Sequence, residues 1–197
     1  MNDNNRTNRR DFLKTVTAAA AAFAAPLAIT STALGNADML PPSERIVMGG
    51  IGLGSMGSHD LGAFSGNRSV QYVAVCDVRR NVLRDRKGNI DKRYGNRDCK
   101  AYGDFRDLLA RTDIDAVHIA TPDHWHAIMI IEACRNGKDV YCQKPETFTL
   151  REGRLVVNAA RRYNRVVSGG SQRVLQDYRG HLEKCWGGGL GTIKSIN

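Results

Sequence analysis

"GIGLGSMG", residues 50–57, decides how the rest of this chain is read. An apolar run, "RIVMGGIG" (45–52), leads into it. "GLGSMGSHDLGAF" (52–64) leads out, with Met56, Leu61 and Phe64 spaced as the inner side of a helix. Gly52, Gly54 and Gly57 fit the pattern G-x-G-x-x-G. In a chain with 20 glycines that pattern alone says little. Its place between a buried strand and a helix says more, as does Asp77, which ends the next apolar run, "SVQYVAVCD" (69–77), 20 residues after Gly57.

Each position has a physical reason. Gly52 permits a tight turn, Gly54 lets the backbone approach a pyrophosphate, and Gly57 lets the helix pack close to the strand. Backbone N–H groups at the helix start, where Ser55 and Met56 stand, then face the phosphates. Asp77 can accept hydrogen bonds from adenosine ribose hydroxyls, which favours NAD over NADP. Arg79 and Arg80 open a basic stretch, with nine Lys/Arg against three acids between residues 79 and 100. They would either attract a 2′-phosphate, making NADP the second choice of cofactor, or form a solvated helix face. Asp77 would repel such a phosphate, so the solvated face is the expectation.

Further along, strand-like and helix-like segments alternate. The charged segment 79–94 carries Val82, Leu83, Ile90 and Tyr94, a short strand lies near Cys99–Tyr102, and "DFRDLLAR" is a small helix. "IDAVHIATP" (114–122) contains a buried strand. "HAIMIIEACRNG" is a helix with Gly137 as its stop, and "KDVYCQKP" a strand ending at Pro145. Thr149 and Glu152 stand at capping-box spacing ahead of "LVVNAARRY", and "RVVSGG" (165–170) is a further strand. This alternation predicts an α/β fold, a doubly wound parallel sheet buried on both faces by crossover helices. The last stretch, 171–197, reads as a polar helix, a glycine hinge and the first strand of a second, α+β domain that is missing.

The amino-terminal end has another character. "NRRDFLK" (8–14) sets Arg9 and Arg10 before Phe12-Leu13-Lys14, and residues 15–35 carry no charge, which is the form of a twin-arginine export signal. Small residues at Ala33-Leu34-Gly35 and Gly35-Asn36-Ala37 offer cleavage points. An uncleaved anchor is the competing reading and the one expected contact with a membrane. The run is mostly Ala and Thr with Pro26 inside, a weak span. Residues 1–35 are thus assigned to the signal, 36–43 to a linker and 44–170 to the nucleotide-binding domain. Export machinery is the expected partner and the periplasm the expected destination.

The whole chain has 197 residues and a formal charge of +9, which falls to +7 without the four basic and two acidic residues of the leader. That excess is scattered and has no aromatic interleaving, so nucleic acid is not an expected partner. Of the five cysteines, none pair as C-x-x-C, and Cys76 and Cys142 sit in apolar runs; free thiols are expected rather than a disulfide framework. His124 and His126 lack an evident third ligand, so no metal is expected. His118, inside "AVHIA", reads as a core histidine.

"GIGLGSMG", "VAVCDV", "IDAVHIATPDHWHA", "GKDVYCQKPET" and "VVSGGSQ" occur in this order and at these spacings. Together, over roughly residues 44–197, they resemble the Gfo/Idh/MocA oxidoreductases. The resemblance implies a Rossmann domain, then a mostly antiparallel domain that carries much of the substrate site and usually the interface of a homo-oligomer. The family's Glu-Lys-Pro signature maps onto Gln143-Lys144-Pro145. Lys144 and Pro145 match; Gln143 lacks the acid that would steady the lysine. By the same resemblance Lys144 is the catalytic candidate beside nicotinamide and substrate hydroxyl. Thr121, Pro122 and His126 match the family's Thr-Pro-x-x-x-His pattern near the nicotinamide half. The resemblance implies NAD-dependent hydride transfer on a sugar, cyclitol or related polyol. NAD-dependent glycoside hydrolysis is the alternative, and a truncated, catalytically silent nucleotide-binding module is the third reading.

Overall fold

The structure is a computed structural model that describes residues 40–171, 179–189, 191–192 and 194–195. The stretch assigned to an export signal (1–35) and the first half of the linker (36–39) lie outside the described residues. Ser43–Asn197 forms one compact unit.

Six strands build one sheet: β1 (Ile46–Ile51), β2 (Val70–Cys76), β3 (Lys100–Tyr102), β4 (Ala116–Ile119), β5 (Asp139–Gln143) and β6 (Val167–Gly170). Their spatial order is β3-β2-β1-β4-β5-β6, and every neighbouring pair is parallel. The helices between them are α1 (Ser55–Ser65), α2 (Arg80–Tyr94), α3 (Phe105–Leu109), α4 (Asp123–Arg135) and α5 (Leu150–Tyr163). Parallel strands need crossovers, and covering helices require strands that are apolar on both sides. Two buried clusters meet that need. One joins Met48, Leu61, Tyr72, Val75 and Ile90 under α1 and α2, and the other joins Ile51, Val117, Ile119, Ile130 and Cys142 under α3, α4 and α5.

The expected caps form. Thr149 Oγ1 accepts from the Glu152 N–H at 3.2 Å and Glu152 Oε2 accepts from the Thr149 N–H at 3.0 Å, so both partners of the box are engaged. Gly137, at φ +74°, follows the end of α4. Two details differ from the sequence reading. Met56 does not join the inner face of α1; it is exposed, because it lies in the first turn, beyond the edge of the sheet. Register between β1 and β2 shifts at Met48/Gly49, leaving Val73 without an opposite number, so Ala74 and Val75 change places in the alternation begun by Val70 and Tyr72.

Near the carboxyl end, α6 (Arg179–Trp186) supplies the expected polar helix. Four residues of the anticipated final strand, Leu190, Ile193, Ile196 and Asn197, lie outside the described residues.

Candidate nucleotide-binding site

The strand order reverses beside β1: the chain leaves β1 toward β2 on one side, and β4 continues the sheet on the other. Loops leaving β1 and β4 diverge to opposite faces and open a crevice at the carboxyl edge, the place where open α/β sheets bind ligands. A cleft of about 740 Å³ occupies that place.

Two of the loop's glycines are required by contact. Gly52 has φ +78°, and a Cβ there would meet the Ala120 carbonyl at 2.8 Å. At Gly57 a Cβ would stand 1.9 Å from the Gly52 carbonyl oxygen. Gly54 faces only the Arg79 guanidinium, at 3.0 Å from the place of its Cβ. Helix α1 begins after Gly54 with no side-chain cap, and its first i→i−4 bond runs from the Ser58 N–H to Gly54 O. The earlier N–H groups, at Ser55, Met56 and Gly57, belong to the first turn, and Gly54 and Met56 line the cleft. That is an anion-binding geometry.

Asp77 follows β2 and is buried. Its Oδ2 accepts from the Leu53 N–H and its Oδ1 from the Arg79 N–H, both at 2.8 Å. A carboxylate has about four acceptor positions, so it ties the glycine loop to the start of α2 and keeps lone pairs for a ribose. Arg79 Nε lies 3.5 Å from Asp77 Oδ1, a half-exposed pairing rather than a free cation. Glycine cradle, uncapped helix start and ribose acceptor all suit a dinucleotide.

On the other wall, Thr121 and Pro122 line the cleft where β4 runs into α4. His126 is buried, with Nδ1 2.6 Å from Pro145 O and Nε2 2.7 Å from Thr121 O. Its two nitrogens brace the loops after β4 and β5, leaving neither for a ligand. Lys144 is exposed on the cleft wall just beyond β5, while Gln143 beside it is buried. Cys76 and Cys142 are buried, and burial first of all pushes each thiol up to about 12, which makes them packing groups rather than nucleophiles. His124 is exposed, and among the described residues no three His, Cys, Asp or Glu converge as a metal site.

Three cleft residues escaped the sequence reading. Trp125 and Phe105 meet edge-on at 6.5 Å between centroids, with the Arg106 guanidinium 4.7 Å above the Phe105 ring. Only the placing of a large aromatic in a polar first helical turn, "DHWH", hinted at it.

The profile of an oxidoreductase family with an NAD-binding Rossmann fold, GFO_IDH_MocA, matches residues 45–171. The chain belongs to this family. It is 32% identical over 170 residues to a Glycosyl hydrolase family 109 protein of Shewanella baltica, covering 79% of this chain and 37% of that protein. Among solved structures, myo-inositol 2-dehydrogenase from Lactobacillus plantarum superposes with a TM-score of 0.64 at 26% identity, covering 76% of this chain and 43% of the other. Scyllo-inositol dehydrogenase from Lactobacillus casei, solved with NAD(H) and scyllo-inositol, shares the fold at a TM-score of 0.63 and 24% identity, over 76% and 43% of the two chains. The chain therefore spans well under half the length of each of these proteins.

Proposed function

We propose that this chain is the cofactor-holding part of an oxidoreductase that moves a hydride between a tightly held NAD and a sugar, cyclitol or related polyol. One observation carries the reading: the glycine cradle, the ribose acceptor Asp77 and the exposed Lys144 all line one cleft at the sheet's carboxyl edge. NAD, when bound, supplies the hydride acceptor. The N–H groups at the start of α1 hold the pyrophosphate, and Asp77 takes the ribose hydroxyls. Lys144 orients the substrate hydroxyl and relays its proton. His126 keeps the two loops under that lysine in register. The remaining substrate contacts, and any homo-oligomer interface, belong to a second domain.

Export by the twin-arginine route fits this reading. A protein that folds before export carries its nucleotide with it, and no free NAD pool outside can exchange with it. Such a cofactor must be reset within each cycle, so a coupled or redox-neutral reaction is favoured. The likeness to the family 109 relative supports a second reading, NAD-dependent glycoside hydrolysis with no net NADH.

One experiment separates the two. The full-length protein, purified with its nucleotide, is given polyols and sugars in one series and nitrophenyl glycosides in another. Absorbance of reduced nicotinamide and of nitrophenol are followed together. Nicotinamide reduction by a polyol supports the dehydrogenase, and nitrophenol release without lasting reduction supports the hydrolase. Neither signal from a nucleotide-loaded protein leaves the silent module.

A further inference from the structure

Asp60 is a buried carboxylate with no part in the cradle or the ribose contact. It lies on the inner side of α1, one turn beyond Gly57, and is only 5% exposed. Its partner comes from the far side of the sheet's switch point. Gln143 Nε2 donates to Asp60 Oδ1 at 3.1 Å and to Oδ2 at 2.8 Å. His59 Nδ1, on an exposed side chain, is 3.7 Å away. An ionised carboxylate only accepts hydrogen bonds, so Asp60 dictates which end of the Gln143 amide faces it. The nitrogen turns inward, and Oε1 is left to accept from the Lys144 N–H at 3.3 Å.

We infer that Asp60 is a positioning residue for Lys144, an inference that rests on the proposed role of that lysine. The acid that the Glu-Lys-Pro signature places on the strand end is here carried by α1 and reaches the backbone N–H of Lys144 through the Gln143 amide. The pair is polar in one sense only. Glutamate at position 143 would set two carboxylates within about 3 Å in a buried site and offer no donor to Asp60. Exchanging the two groups, D60N with Q143E, restores a donor to an acceptor with the polarity reversed.

Four forms test this: the unmodified protein, D60N, Q143E and the double exchange. Thermal midpoints give stability. Lysine-selective ¹⁵N labelling gives the Lys144 amide resonance, assigned with a K144R variant. Q143E is expected to melt more than about 5 °C lower, and the double exchange to regain at least half of that loss. The Lys144 resonance is expected to move in both single variants and return toward its original place in the double. If Q143E does not fold, folding of the double exchange alone supports the inference. A double exchange no better than the sum of the single changes would overturn it. So would a Lys144 resonance that ignores D60N. All four forms are measured after the nucleotide has been stripped, since bound NAD would raise the midpoint and move an amide at the cleft. Calorimetric titration of the same stripped samples with NAD tests the cofactor-holding function separately.

Discussion

The place of a Gly57 side chain lies 1.9 Å from the carbonyl oxygen of Gly52. No rotamer relieves that contact, because Cβ is fixed by the backbone and the obstacle is backbone too. Gly57→Ala must push α1 off β1, a form of overpacking that costs about 1–3 kcal/mol or more. The helix start moves with it. The expected result is a lower thermal midpoint together with a loss of NAD affinity by calorimetry. Unchanged values for both would mean that α1 does not hold the nucleotide in this way.

Asp77→Asn keeps the volume of the side chain and removes its charge. Hydrogen bonds to charged groups contribute about 1.5–3 kcal/mol, so NAD affinity should fall by about one to two orders of magnitude. NADP should lose less, since a repelling charge leaves at the same time. Titration with both nucleotides checks this. Tighter binding of NADP by the unmodified protein would remove Asp77 from the ribose contact.

Lys144→Met keeps the length and apolar stem of the side chain. In the full-length protein turnover should drop by about 10²–10⁴, the usual contribution of a positioned proton-transfer group. NAD affinity should change by less than about 1 kcal/mol, because the phosphates are held at the other wall. Full turnover would take Lys144 out of the mechanism, and a large loss of affinity would make it a cofactor ligand instead.

His118 is fully buried, and burial above all lowers it to about 4, against opposing effects of Asp60 and the Gly57 backbone. Nδ1 shares a 2.8 Å hydrogen bond with the Tyr72 hydroxyl, and Nε2 has no partner of good geometry among the described residues. Below pH 6.5 the unfolded chain takes up a proton that the folded one refuses, so stability falls with pH until the folded ring also titrates near 4. The loss from this one group is ~3 kcal/mol across that window. Urea unfolding of the unmodified protein and of His118→Gln, at several pH values between 4 and 7, should give a shallower slope for the variant. Parallel slopes would show that His118 does not set the acid sensitivity.

Arg9→Lys with Arg10→Lys should leave the protein in the cytoplasm at precursor length, because the export route reads the arginine pair. Fractionation and blotting check it, and normal processing of the double variant would defeat the assignment.

Strand and helix order, the glycine cradle and the capping box at Thr149 were legible in the sequence because each depends on near neighbours. Period, turn chemistry and a fixed offset such as that from Gly57 to Asp77 are written in consecutive residues. Met56 was misplaced for a reason of the same kind: helical spacing gives the side of α1 but not where the sheet beneath it ends. The register shift at Val73 was hidden as well, since it arises from pairing with Met48 and Gly49 and not from β2 alone. The site followed the same division. Gly52, Gly54, Asp77 and Lys144, which line the cleft, were named from motif and resemblance. The contact of Asp60 with Gln143 joins residues 83 apart, and the Phe105–Trp125 wall joins two different crossovers. Sequence determined the elements and the cradle through local sterics and backbone hydrogen bonding. Which buried polar groups meet was decided only by the sheet order, because desolvated donors and acceptors must be satisfied by whatever the fold brings beside them.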